Sequence, residues 1–225
     1  CGAKHLMAHT FDTKASLLAQ TGTSISLSYT AGAGATLLIL GLSIVGITAR
    51  AGGSPTFAGI PMIAAAPTQV TGGTATSCEL WYLTNPPTAS AQNIVVPNTG
   101  ALNVSLVAST YSAAAGLTSV FDVASQGVNT GTGTVNPALS ITPSVTGSAI
   151  ISVISTGGGT LTASQTLLFA GTASTIRYGG EYALNASAGA VTMNWTNATS
   201  TRWVTIAAAF RESSKNNSML MGAGT

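Results

Sequence analysis

The sequence predicts an all-β protein, a jelly-roll-like antiparallel β-sandwich of about ten short strands. Three observations carry this. Apolar and polar residues alternate with period two, as in SISLSY at 24–29 and VTMNWT at 191–196. Clusters of Gly, Pro and Asn break the chain at short intervals. Segments with the 3.6-residue apolar spacing of a surface helix are nearly absent.

The elements follow in order. Ile25, Leu27 and Tyr29 share one face and Ser24, Ser26 and Ser28 the other, which is a half-buried strand. AGAGA at 31–35 is a turn. The run from Thr36 to Thr48 is too short to span a membrane, and reads as a strand buried on both faces. TFAGIPMIAA at 56–65 has strand composition, with a bend at Gly59 and Pro61. CELWYLT at 78–84 is a strand stopped by Asn85, Pro86 and Pro87. Leu102, Val104 and Leu106 alternate with Asn103 and Ser105. Residues 112–147, rich in Ser, Thr, Gly and Asn, read as a long loop with short strands and a lateral contact surface. Later strands are AIISVIST, SQTLLFAG, STIRYGGEYAL, a strand with Val191, Met193 and Trp195 on one face, and a last strand with Val204, Ile206, Ala208 and Phe210 on one face. The organisation expected is an arm or short helix at 1–22 outside the core, one sandwich domain at 23–211 and a tail at 212–225.

Composition narrows the function. Of 225 residues, 45% are apolar and only 5% charged, and Ala, Thr, Ser and Gly supply 121. Glycine has no three-residue period, which excludes collagen, and the low charge excludes a charged disordered tail. Lys and Arg number 7 and are scattered, so no basic patch exists for nucleic acid. Residues 80–121 and 123–176 carry no charge at all. A free monomer usually relies on surface charge to stay soluble. A surface of small hydroxyl and methyl groups instead points to packing against copies of itself or against another protein.

Two cysteines make neither a disulfide framework nor a zinc site. Cys78 sits in a strand and reads as a small buried hydrophobe. Cys1, followed by Gly and Ala, can be a lipoprotein-type processed end, an intermolecular disulfide partner or a fragment end.

Little catalytic chemistry is legible. His5 and His9 are four apart with Asp12 nearby, but nothing else makes a metal motif, and a solvated arm is expected. Both histidines lie in that arm, away from any Ser-His-Asp site. Glu79 and Glu181 stand near strand starts, where a glycosidase pair is conceivable; pairing with Arg177 or Arg202, or exposure, is the simpler expectation. Trp81, Trp195 and Trp203, with Tyr82, Tyr178 and Tyr182, are either core and rim packing or an exposed strip for stacking on sugars. No catalytic residue, metal ligand or cofactor is assigned, and the protein is not expected to be an enzyme.

Four segments resemble a β-sandwich domain that recurs in bacteriophage structural proteins and some bacterial surface proteins. They are SISLSYTAGAGATLLILGLSI at 24–44, PTFAGIPMI at 55–63, CELWYLTNPPTASAQNIVV at 78–96 and MNWTNATSTRWVTIAAAF at 193–210. The family's Tyr/Phe-Gly-Gly-Val motif before a Met or Leu is represented by Phe57 to Met62, and its aromatic strand followed by two prolines by Leu80 to Pro87. The resemblance spans about 23–211 and implies a jelly-roll-like fold and a virion or cell-surface setting. The role expected is that of a capsid decoration, collar, tail or fibre subunit, with a carbohydrate-binding module or an extracellular filament subunit as alternatives. Cys1, His5, Phe11, Met219 and Met221 are the expected assembly contacts. Partners would be other copies or other virion or surface proteins, with carbohydrate as a further candidate, and no membrane span.

Overall fold

The computed structural model describes residues 9–45, 50, 52–65, 70–72, 76–98, 102–129, 136–173, 176–186, 188–197 and 202–214. The described chain is all β and contains no helix. Its first half holds β1 (Thr10–Gln20), β2 (Ser24–Tyr29), β3 (Leu37–Val45), β4 (Thr56–Phe57), β5 (Ile60–Pro61), β6 (Ile63–Ala64), β7 (Val70–Gly72), β8 (Thr76–Thr84), β9 (Gln92–Pro97) and β10 (Asn103–Ser112). Its second half holds β11 (Leu117–Asn129), β12 (Ala138–Ile141), β13 (Ser148–Thr156), β14 (Leu161–Ala163), β15 (Thr166–Ala173), β16 (Ile176–Ala186), β17 (Val191–Asn197) and β18 (Trp203–Ser214).

The two halves repeat one topology. In the first, an inner sheet runs β1-β10-β3-β8-β6, with β7 also on β8, and an outer sheet runs β2-β9-β4-β5. In the second, the inner sheet runs β11-β18-β13-β16-β15 and the outer sheet β12-β17-β14. Apart from the short β6 and β7, the first half pairs its strands first-eighth-third-sixth and second-seventh-fourth-fifth, which is the jelly roll. The second half keeps this order, except that its fifth strand joins the inner sheet. The single sandwich expected over 23–211 is therefore two eight-stranded units.

The units pack back to back through their inner sheets, which gives four layers. Leu38, Leu40, Leu42 and Ile44 of β3 face the first outer sheet with Ile25, Tyr29, Phe57 and Ile94. Leu37 and Ile39, on the opposite face, pack against Ile151, Val153, Ile206 and Phe210 of the second unit. Ile150, Ala207 and Ala209 then meet Leu139, Ile141 and Met193 of the second outer sheet. Strands β3 and β13 are thus covered on both sides, which is why they read as continuous apolar runs. The alternations seen in the sequence hold: Ile25 and Tyr29 are buried while Ser24, Ser26 and Ser28 are exposed, and Val204, Ile206, Ala208 and Phe210 share the seam.

A pseudo-two-fold relation runs along that seam. Phe11 and Phe121 each precede an Asp that bulges out of the ladder, since pairing skips Asp12 and Asp122. Phe11 stacks on Tyr182 at 5.3 Å, and Phe121 stacks on Tyr82 at 5.5 Å, both with ring planes 9° apart. Register makes Ser43 equivalent to Ser155, and Gly41 to Val153. These equivalent positions meet each other. The Ser43 hydroxyl donates to Ser155 Oγ at 2.7 Å, and a methyl on Gly41 would lie 2.3 Å from Val153 Cγ1. Two valines cannot occupy the axis together, so one position is glycine.

Two further expectations are corrected. Residues 10–20 are not an arm or short helix outside the core. They form β1, and His9 before them is fully buried. Bulges between Phe11 and Thr13 and between Leu17 and Gln20 shift the side-chain phase, which hides the period-two pattern. The region 112–147 holds the thirteen-residue β11, paired along its length with β18. Its Ser, Ala and Val composition is weak as an isolated strand signal, and the partner strand decides it. At the other end β18 continues to Ser214, so the tail does not begin at 212.

Gly41→Val should destabilise the fold by about 1–3 kcal/mol through overpacking. The exchanged pair Gly41→Val with Val153→Gly should recover most of that loss, as read by urea unfolding. Equal loss in the single and the exchanged variant would refute equivalence at the axis.

Candidate functional site

Several of the few charged side chains of this protein lie inside it. Arg50, Glu79, Glu181 and Glu212 are all buried, although Lys and Arg number only 7 and Asp and Glu 5 in the chain. Burying a charge is costly unless it is paired and hydrogen-bonded.

Glu79 Oε2 accepts from Arg50 Nε and Nη2 at 3.2 and 2.8 Å and from the Trp81 indole at 2.7 Å. Arg50 also donates to the carbonyls of Gly53 and Pro97, and its guanidinium lies 5.8 Å from the Trp81 ring centre. The cluster pins the loop before β4 to the end of β9. It is a closed structural node with no open position for a substrate.

His9 joins the two units. A carbonyl can only accept, so His9 Nδ1–H donates to Gly147 O at 3.2 Å, which leaves Nε2 to accept the Ser119 hydroxyl at 3.1 Å. Ser119 Oγ also lies 2.7 Å from Thr36 Oγ1. This is the tautomer that activates a serine, and Glu212 is close enough to act on the ring electrostatically. His9 and Ser119 are 0% and 1% exposed, so no substrate reaches them. The expectation that both histidines lie in a solvated arm is corrected for His9. Burial lowers its pKa below 6.5, chiefly by desolvation.

Glu181 sits in the second unit between inner and outer sheets. Its Oε2 accepts from the Gln165 backbone N–H at 3.0 Å, and Oε1 has no partner. Burial pushes its pKa up to about 7. Glu79 faces the first outer sheet with Trp81, whereas Gly179, on the Glu181 face of β16, abuts Trp195 of the second. Both inner sheets therefore lie between the two carboxylates, and sheets stack about 10 Å apart. They cannot form a glycosidase pair across one cleft, and Glu79 pairs with Arg50 rather than with Arg177 or Arg202.

The remaining candidates fall as follows. Trp81, Trp195 and Trp203 are 5%, 0% and 7% exposed, so they form no sugar-stacking strip. Trp81 belongs to the first core, and Trp195 and Trp203 pack on Leu161 and Ile154. The reason is their place on strands covered by a second sheet, which single-strand alternation does not reveal. Phe11 packs inside the seam on Tyr111 and Tyr182. Cys1, His5, Met219 and Met221 lie outside the described residues. Cys78 is a buried free thiol, as expected. Among the described residues no group of three or more His, Cys, Asp or Glu is placed to hold a metal, and no helix is long and apolar enough to cross a membrane. Among the described residues the exposed large apolar side chains are Leu18, Ile60, Ile63 and Leu167, on strands at sheet edges.

What sequence reading missed is the duplication and the buried His9 and Glu181. The one available signal is the Phe-Asp pair that recurs at 11–12 and 121–122. Comparison of the chain with models of known families, with curated proteins and with solved structures finds no match.

Three outcomes are expected. Glu79→Ala leaves Arg50 buried without a counter-charge and should cost about 3–5 kcal/mol in chemical denaturation. Glu181 binds a proton more tightly folded than unfolded, so its contribution is full below pH 4.5 and is lost as pH rises through about 7. Glu181→Gln should remove that decline, worth of order 3 kcal/mol, from a pH series of melting curves. For His9 the sign is opposite. Its contribution is present above pH 6.5 and lost as pH falls through the lowered folded value, and His9→Gln should flatten the acid side of the same series.

Proposed function

We propose that this protein is a structural subunit that works by packing against other subunits, with a virion component such as a decoration, collar, tail or fibre protein as its setting. The observation that carries the reading is the distribution of charge. A chain that is already 5% charged places four of those side chains in its interior, so its surface is poorer in charge than its composition implies. Contacts between such surfaces desolvate few ions, and Ser and Thr hydroxyls can pair across them. The four-layer core supports this role by giving a rigid block that needs no partner to complete its own hydrophobic interior. The virion setting rests on the segment resemblance given above.

Edges refine the picture. The first strand of each unit is a sheet edge that carries a bulged Asp, and β1 adds Lys14. Bulges and charges of this kind discourage edge-to-edge pairing. Contacts would then use the uncharged outer faces and the edges bearing Ile63 and Leu167, rather than strand addition to β1 or β11.

Sedimentation velocity over a concentration series, with and without reductant, tests the proposal. Discrete larger species that grow with concentration are expected. A monomer at every concentration up to about 1 mM would overturn self-assembly. Ile63→Lys with Leu167→Lys should weaken the association constant about tenfold or more by placing like charges on the exposed apolar positions, while the melting temperature of the monomer stays unchanged.

A further inference from the structure

The second unit departs from the first at one place. In the first, β5 pairs with β4 and completes a four-stranded outer sheet. In the second, β15 pairs instead with β16 of the inner sheet, and the outer sheet ends at β14. A cleft of about 330 Å³ lies there, lined by residues 159–161, residues 170–172 and Arg177.

Arg177 is under-satisfied at this position. Its Nε–H donates to Gly159 O at 2.8 Å, but Nη1 is buried with no acceptor. Arg177 is half-buried and lines the cleft, and a guanidinium there can offer paired N–H donors to two oxygens of an oxyanion. None of the residues lining the cleft is acidic. Glu181, on the same face of the same strand, is four residues further on, or about 13 Å, and its carboxylate is turned to the Gln165 backbone. Thr160 and Thr172 add hydroxyls to the walls. Leu161 packs with the buried Trp195 and Trp203 behind the cleft wall. Arg177 is thus the one charged side chain among the residues that line the cleft.

We infer that this cleft binds the oxyanion group, carboxylate or sulfate, of a small anionic ligand, with Arg177 as the clamp. The inference stands apart from the assembly reading, since it concerns a cleft within one chain. The test titrates acetate, glucuronate and sulfate, with glucose as the neutral control, against the full chain by calorimetry and by amide chemical shifts. The proposal expects saturable one-to-one binding of at least one anion, with Kd in the millimolar range or tighter, and none of glucose. Arg177→Gln should weaken it about tenfold or more, and Arg177→Lys less than that. Thr172→Glu, an exposed change on the wall, should abolish it by supplying an internal carboxylate, and serves if Arg177→Gln does not fold. Absence of saturable anion binding, equal binding of glucose, or anion binding undiminished in both folded variants would overturn the proposal.

Discussion

The face-to-face contact of two inner sheets, one from each half of the chain, is the constraint on which the other layers depend. It buries β3 and β13 on both faces, and a strand buried twice must be apolar nearly throughout. It also sets what can stand on the axis. Equivalent residues of the two units meet there, so the pair Gly41 and Val153 must differ in size, whereas Ser43 and Ser155 can be alike because two hydroxyls satisfy each other. Each outer sheet then closes a further core against the free face of its inner sheet. Small side chains suit this arrangement, because Ala207, Ala208 and Ala209 on β18 let sheets approach on both sides.

The polar interior follows from the same geometry. Hydroxyls at the seam, such as Ser43, Ser155 and Thr76, bond one another across the units. Ionisable groups and their partners are held between the layers: Arg50 and Glu79 under the first outer sheet, His9 and Ser119 at the joint between units, and Glu181 under the second. These placements leave the outer surface nearly neutral. A nearly neutral, hydroxyl-rich exterior on a duplicated sandwich suits the packing role proposed above, and the cleft at Arg177 lies where the second outer sheet ends at β14.

Much of the fold was legible in the residues. The alternation in β2, β17 and β18 and the doubly apolar run of β3 each announce a strand and its buried face, because a two-residue period and continuous burial are local properties. Cys78 as a small core residue and the bend at Gly59 and Pro61 were legible for the same reason. The strands that escaped, β1 and β11, are edges whose bulges reset the phase at Asp12 and Asp122. The aromatic residues were legible as a class but not by position: whether Trp195 is a sugar platform or a core ring depends on a sheet that lies over it.

The amino-acid sequence by itself determined the all-β class, the identity of most strands, the near absence of charge and the faces that turn inward. Those properties reside in residue type and short-range period. Only the tertiary structure decided that the strands sort into two jelly rolls packed back to back, that His9 and Glu181 are interior, and that Glu79 meets Arg50. Such facts depend on pairings between residues tens of positions apart. Long-range pairing is selected by the total burial and hydrogen-bond satisfaction of the finished layers, and no local segment carries that information.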